Sequence, residues 1–192
     1  MKVYLEITLL PGADIDLNFL LEKVYRQIHL GLADIQTPNG SSAIGVSFPE
    51  YNAEKYQLGT KLRLFAQDKN MIENFNAKKW LTCLSDYVHI TGVRDVPGNI
   101  TNYIRFKRKQ SKSSTGRLAR RKAKREGIEF DQAFQLLHSR EEILIKSPFI
   151  KMVSSSSGQN FRLFIIKEHA AEQINEGFSC YGLSAKSTIP DF

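Results

Sequence analysis

Eleven lysines and arginines fall within the twenty-one residues 105–125, RFKRKQSKSSTGRLARRKAKR, and no carboxylate follows until Glu126. The chain has 27 basic and 20 acidic residues; setting the eleven aside leaves 16 against 20, so the remainder is net −4 while the whole is +7. The chemistry open to such a segment is charge neutralisation: it can hold a polyanion through its phosphates. Arg117, Arg120, Arg121, Lys124 and Arg125 recur at i, i+3, i+4, i+7 and i+8, which gathers five cations on one face of a helix over about 115–126. Such a face repels itself, so folding stability is a poor reason for it and a phosphate-lined groove a better one. A solvated face or a localisation signal is the bland alternative. Ser113, Ser114 and Thr115 are N-cap candidates, and Gly127 is a plausible stop.

Other reactive side chains are scattered. His29, His89, His138 and His169 show no H-x-x-x-H spacing, and Cys83 and Cys180 form no C-x-x-C pair. No glycine-rich phosphate loop or dinucleotide turn is present, so no metal or nucleotide cofactor is expected and side chains would carry any reaction. The serine run 154–157 reads, taken alone, as a flexible loop. Two unpaired thiols, an N-terminus MKVYLEITLL interrupted by Glu6 and no membrane-length apolar run point to a cytoplasmic protein without membrane contact.

The elements that must position these groups follow from periodicity. Val3, Leu5, Ile7 and Leu9 alternate as in a half-buried strand, and Pro11-Gly12 ends it. Leu17, Leu20, Leu21, Val24, Ile28 and Leu32 predict an amphipathic helix over about 16–33, with His29 beside the apolar stripe one turn after Tyr25. Strands are expected around Ile44–Val46–Phe48, around Leu62–Leu64–Ala66 and over 87–93, with a helix over about 70–81. The order β-α-β-β-α-β makes an α+β fold with an N-terminal ferredoxin-like domain over 1–94. RNA-recognition modules share that arrangement, but KLRLF at 61–65 matches their aromatic strand poorly. The turn-rich DVPGNI at 95–100 opens a second α/β half, 95–192, with the basic helix, an apolar helical stretch at 130–137, strands at 149–153 and 161–166, and a strand-like run at 178–183.

Three motifs are specific enough to name a family. S-x-S-[ST]-G-Q-x-F-R-L-F at 154–164, G-F-[ST]-C-Y-G-L-S at 177–184 and the terminal Pro190 and Phe192 join G-V-S-F-P at 45–49 and the arginine helix. Together they resemble the repeat-specific CRISPR endoribonuclease of type I-F (Csy) systems, nearly end to end, most strongly in the last fifty residues. The resemblance implies a metal-independent nuclease that cuts precursor CRISPR RNA at the 3′ base of a repeat hairpin. The upstream 2′-OH would attack the phosphate, leaving a 2′,3′-cyclic phosphate and a 5′-OH. It further implies that the nuclease stays on the stem-loop as a subunit of a guide-RNA surveillance complex with other type I-F subunits; a catalytically weak capping subunit is the alternative.

The matching catalytic positions are His29, to assist transfer of the 2′-OH proton; Ser154, to place that hydroxyl; and Tyr181, to orient the imidazole. A histidine, ordinarily titrating near ~6.5, suits proton removal at neutral pH. For RNA binding the resemblance implies Arg108 and Gln110 at base edges, Phe161 stacked on the terminal base pair, Ser156 nearby, and Arg121, Lys124 and Arg125 in the groove, beside Arg117 and Arg120 of the same helix. Lys124 stands where the family has arginine and lacks its bidentate fork. Asn160 and the extra serines alter the loop, with Gly158-Gln159 and Phe161-Arg162 setting the register that selects Ser154 over Ser155.

Overall fold

The first strand, β1 (Val3–Leu9), buries Val3, Leu5, Ile7 and Leu9 and leaves Tyr4, Glu6 and Thr8 half-exposed on the other face, as a period of two requires. These are coordinates of a computed structural model describing residues 1–12, 15–110, 115–137, 145–154 and 157–192. After β1 comes α1 (Leu17–Asp34), started by Asp16, whose carboxylate accepts from Asn18 N and Phe19 N at 2.9 and 3.0 Å. Then follow β2 (Gly45–Ser47), β3 (Lys61–Ala66), α2 (Lys69–Phe75), α3 (Ala77–Trp80), a 3₁₀ turn (Thr82–Tyr87), β4 (Val88–Ile90) and β5 (Arg94–Asp95). The helix expected over 70–81 is broken: Asn76 takes a left-handed conformation, φ 48°, which ends α2 and starts α3. Asparagine is among the few residues that tolerate that region.

The remaining elements are β6 (Tyr103–Lys109), α4 (Thr115–Glu126), α5 (Phe130–Gln135), β7 (Phe149–Val153), β8 (Asn160–Ala170) and β9 (Ile189–Pro190). The first sheet runs β2-β3-β1-β4 with β5 also on β1, and its pairs are antiparallel, with Leu5 opposite Leu64 and Ile7 opposite Leu62. The second runs β7-β8-β6-β9, with β7–β8 and β6–β9 antiparallel. By compactness the chain divides into Met1–Arg108 with Ser147–Phe192, and Lys109–Lys146; the turn-rich residues 95–100 lie inside the first unit.

In the first unit one apolar cluster joins both sheets. It takes Ile7 and Leu62 from the first sheet, Phe106, Ile150, Leu163 and Ile165 from the second, and Leu21, Val24, Ile28 and Leu32 from α1. Helix α1 packs on β1 and on β7, and Glu22 accepts from Lys151 N at 3.3 Å. Each fully buried aliphatic side chain contributes about 1.5–3 kcal/mol, so the helix is held on both sides by packing, not by propensity.

In the second unit α4 and α5 pack together and bury Ala119 and Ala133. Gly127, φ +67°, ends α4, and Ile128 N donates to Ala123 O at 3.2 Å, the long bond of a Schellman cap. No helix among the described residues is long and apolar enough to cross a membrane.

The strand-like run expected over 178–183 is instead a turn, bridged to Ser42 only at Phe178. Gly182 N donates to Ser179 O at 2.8 Å, Ser179 N to Leu183 O at 2.9 Å, and Gly182 sits at φ +66°. A Cβ at Gly182 would collide with Val46 as well as strain the backbone. Gly182→Ala is expected to destabilise the protein by about 1–3 kcal/mol, read as a lower denaturant midpoint with unchanged slope.

Candidate active site

His29 and Tyr25 stand one turn apart on the same face of α1, and both reach the 178–183 turn. The Tyr25 hydroxyl donates to the Tyr181 carbonyl at 2.7 Å, and His29 Nδ1 lies 2.9 Å from the Cys180 carbonyl. A carbonyl only accepts, so the bond requires the proton on Nδ1. In the neutral ring Nε2 is then the acceptor, the tautomer in which an imidazole can take a proton from a substrate hydroxyl. The Tyr181 ring lies over the imidazole at 4.3 Å between centroids and 7° between planes. The imidazole is therefore fixed by a bond in its plane and by a ring across its face.

The turn that supplies these contacts is itself held. Val46 N donates to Gly182 O at 2.8 Å, while Ser42 and Phe178 exchange backbone bonds of 2.6 and 2.9 Å. Burial raises the Tyr181 phenol above the ordinary tyrosine value, Cys180 adds to that, and the Arg108 charge works against it. Burial likewise raises the Cys180 thiol. Both groups are neutral near pH 7, so the Tyr181 ring stacked on His29 and the Cys180 residue whose carbonyl bonds it bring no charge to the imidazole.

Arg108 continues the inward-facing row Ile104 and Phe106 on β6, and Phe161 begins the row Phe161, Leu163 and Ile165 on β8. At the sheet's end the Arg108 guanidinium lies 5.4 Å from the Phe161 ring and 5.8 Å from the Tyr181 ring, so one exposed cation spans the two aromatics. Ser154 sits in the hairpin turn one residue beyond the Val153–Asn160 pair. There its hydroxyl accepts from Ser157 N at 3.3 Å and its backbone exchanges bonds with Gln159 and Gly158. The structure thus brings His29, Tyr181, Arg108 and Phe161 into one chain of contacts and sets Ser154 in the turn from which Phe161 emerges. Ser156 lies outside the described residues, and Gln110 follows β6 as an exposed residue of the second unit.

In that second unit Arg117, Arg120, Arg121, Lys124 and Arg125 are all exposed. Glu126 pairs with Lys122 at 3.0 Å and Arg125 at 2.8 Å, and the Arg120 guanidinium lies 6.0 Å from the Phe130 ring. Among the described residues no carboxylate pairs with Arg117, Arg121 or Lys124. Within the described residues these three cations keep their charge available for an anionic partner.

In the sequence Tyr25 marks only the helical phase, and nothing there signals the Cys180 carbonyl. The periodicity does carry part of the answer, since Tyr25 and His29 are spaced i, i+4 at the edge of the apolar stripe. Burial raises the Tyr25 hydroxyl well above the ordinary tyrosine value, with Tyr181 and Cys180 adding to it. A group whose folded value is raised gives stability that is complete below its unfolded value, near ~10, and is lost as pH rises toward the folded value. Alkaline titration should therefore reduce wild-type stability above about pH 10, and Tyr25→Phe should flatten that loss in denaturant melts.

A family profile described as CRISPR-associated protein (Cas_Csy4) matches residues 4–192. A protein of Escherichia coli (strain UTI89 / UPEC) named CRISPR-associated endonuclease Cas6/Csy4 is 35% identical over 193 residues, covering all of both chains. One of the same name from Pseudomonas aeruginosa (strain UCBPP-PA14) is 32% identical over 195 residues, again covering both completely. A solved structure described as an RAMP protein binding different RNA substrates aligns over 98% of this chain and 99% of its own. Its identity is 11% and its TM-score 0.36, too low to bear on fold or function.

Proposed function

The chain belongs to the Cas_Csy4 family of CRISPR-associated proteins, and from that membership we propose that it is the endoribonuclease that processes precursor CRISPR RNA. It binds the repeat hairpin, cuts at the 3′ base of the stem without a metal ion, and remains on the stem-loop among the other subunits of a type I-F surveillance complex. Its first domain is ferredoxin-like, a reading supported by the order β1-α1-β2-β3-α2-β4 and the sheet order β2-β3-β1-β4.

His29 carries the mechanism. Its Nδ1 is engaged by the Cys180 carbonyl, which supports Nε2 as the base that removes the ribose 2′-OH proton. The freed 2′-oxygen attacks the adjacent phosphorus, the P–O5′ bond breaks, and the 5′-oxygen leaves and is protonated. The products are a 2′,3′-cyclic phosphate and a 5′-OH, and no water is consumed. Because the attack is intramolecular, holding the 2′-oxygen in line with the leaving oxygen removes much of the barrier; that is the work assigned to the Ser154 hydroxyl. Tyr181, stacked on the imidazole, holds its plane.

Recognition is divided by chemistry. Arg108 offers a guanidinium to a guanine edge and Gln110 an amide to adenine, while Phe161 stacks on the base pair at the cut and Ser156 adds a polar contact. Arg117, Arg120, Arg121, Lys124 and Arg125 bind phosphates along the stem, a role supported by their exposure on one face of α4.

Cleavage of a repeat hairpin in the presence of chelator tests the reaction directly. Wild type should cut the all-RNA hairpin and leave intact the same hairpin carrying 2′-deoxy upstream of the cut. His29→Ala should lose cleavage while hairpin affinity survives; loss of both together, or cutting of the deoxy substrate, would overturn the role given to His29. Separately, Arg121→Ala should weaken binding at every salt concentration and lower the slope of log affinity against log salt by about 1, as measured by titrations across a salt series.

A further inference from the structure

Two consecutive carbonyls, Cys180 O and Tyr181 O, are gripped by two side chains one helical turn apart, His29 and Tyr25. We infer that Tyr25 is a positioning residue: by anchoring the 180–182 backbone it holds the His29 ring in the tautomer that can act as a base. The inference rests on the nuclease reading given above and names a residue that never touches substrate in it.

The argument starts from the turn. Ser179 to Gly182 form a β-turn closed by the 2.8 Å bond from Gly182 N to Ser179 O, and its central peptide carries the Cys180 carbonyl. Rotation of that peptide would swing the carbonyl away and offer an N–H in its place. An N–H facing Nδ1 requires Nδ1 to accept, which moves the ring proton to Nε2 and removes the base. The next peptide, 181–182, abuts Gly182, the residue with the least resistance to backbone rotation. That peptide is pinned on its N–H by Ser179 and on its carbonyl by Tyr25.

Tyr25 is suited to the task because it cannot let go cheaply. The residue is 1% exposed, and a hydroxyl buried there needs its partner. Its ring is locked in the core beside Phe48, 5.8 Å between centroids. The hydroxyl thus transfers the rigidity of α1 to the turn, and the turn returns it to His29 through the Cys180 carbonyl.

Tyr25→Phe keeps the ring and removes the hydroxyl. Four quantities should be read on the full-length variant: single-turnover cleavage of the repeat hairpin, hairpin affinity, melting temperature, and the imidazole ¹⁵N shifts of His29, which distinguish the two tautomers. We expect unchanged affinity, cleavage slowed roughly tenfold, the order of the lower end of the loss seen when a hydrogen-bond partner of a metal-ligating histidine is removed, and ¹⁵N shifts moved from the Nδ1–H pattern toward a mixture. Tyr51→Phe is the control. It removes a comparable bond, from the Tyr51 hydroxyl to Ile165 O at 3.2 Å, and should cleave at the wild-type rate. A wild-type rate and unmoved tautomer in Tyr25→Phe would overturn the inference, as would an equal slowing in Tyr51→Phe. A wild-type protein that does not cut would instead defeat the nuclease reading, and the ¹⁵N shifts would still decide whether Tyr25 sets the tautomer.

Discussion

The bond between His29 Nδ1 and the Cys180 carbonyl joins groups 151 residues apart, and much of the first unit is arranged to make it possible. A hydrogen bond in the plane of a ring tolerates little error in distance or direction. Helix α1 must therefore be immobile, which its packing on β1 and β7 provides. The 178–183 turn must be equally immobile, which its bonds to Ser42 and Val46 and the close seat of Gly182 on Val46 provide. Both sheets contribute to one apolar cluster, so the two ends of the bond are set by the same core.

How much of this could be read from the sequence depended on whether the signal was periodic. Strand β1, helix α1 with its start at Asp16, the β7–β8 hairpin and the stop at Gly127 all follow from local pattern and cap chemistry. Strand β6 was hidden because Arg105, Lys107 and Lys109 made its alternation of Ile104 and Phe106 look like part of one basic run. The break at Asn76 is a single left-handed residue inside an otherwise helical pattern, and one asparagine is a weak signal against that pattern. The 178–183 segment is rich in strand-forming side chains, yet its conformation is decided by long-range bonds to α1 and β2 that no local pattern records.

The site divides along the same line. His29 was visible as a polar residue bordering an apolar stripe, and Tyr181 as an aromatic in a specific motif. Neither spacing could show that they stack, because that depends on the tertiary path of the chain between them. The partner that sets the His29 tautomer is a backbone carbonyl, and every residue has one. Side-chain type is therefore silent about it.

Charge is distributed in a way that separates affinity from chemistry. In β6, Arg105 and Lys107 share Glu168 at 3.7 and 2.5 Å, so part of the basic run is neutralised within the fold. In α4, by contrast, Arg117, Arg121 and Lys124 lack such a partner among the described residues. Around His29 the phenols of Tyr25 and Tyr181 are raised by burial and stay neutral. On the proposed function, phosphates along the stem are the same before and after the cut, so α4 would bind substrate and product alike. Binding that does not distinguish the transition state leaves the chemical step no faster. What it does achieve is retention, and a nuclease that is also to remain on its product as a subunit needs its strongest contacts to be the ones that cleavage does not change.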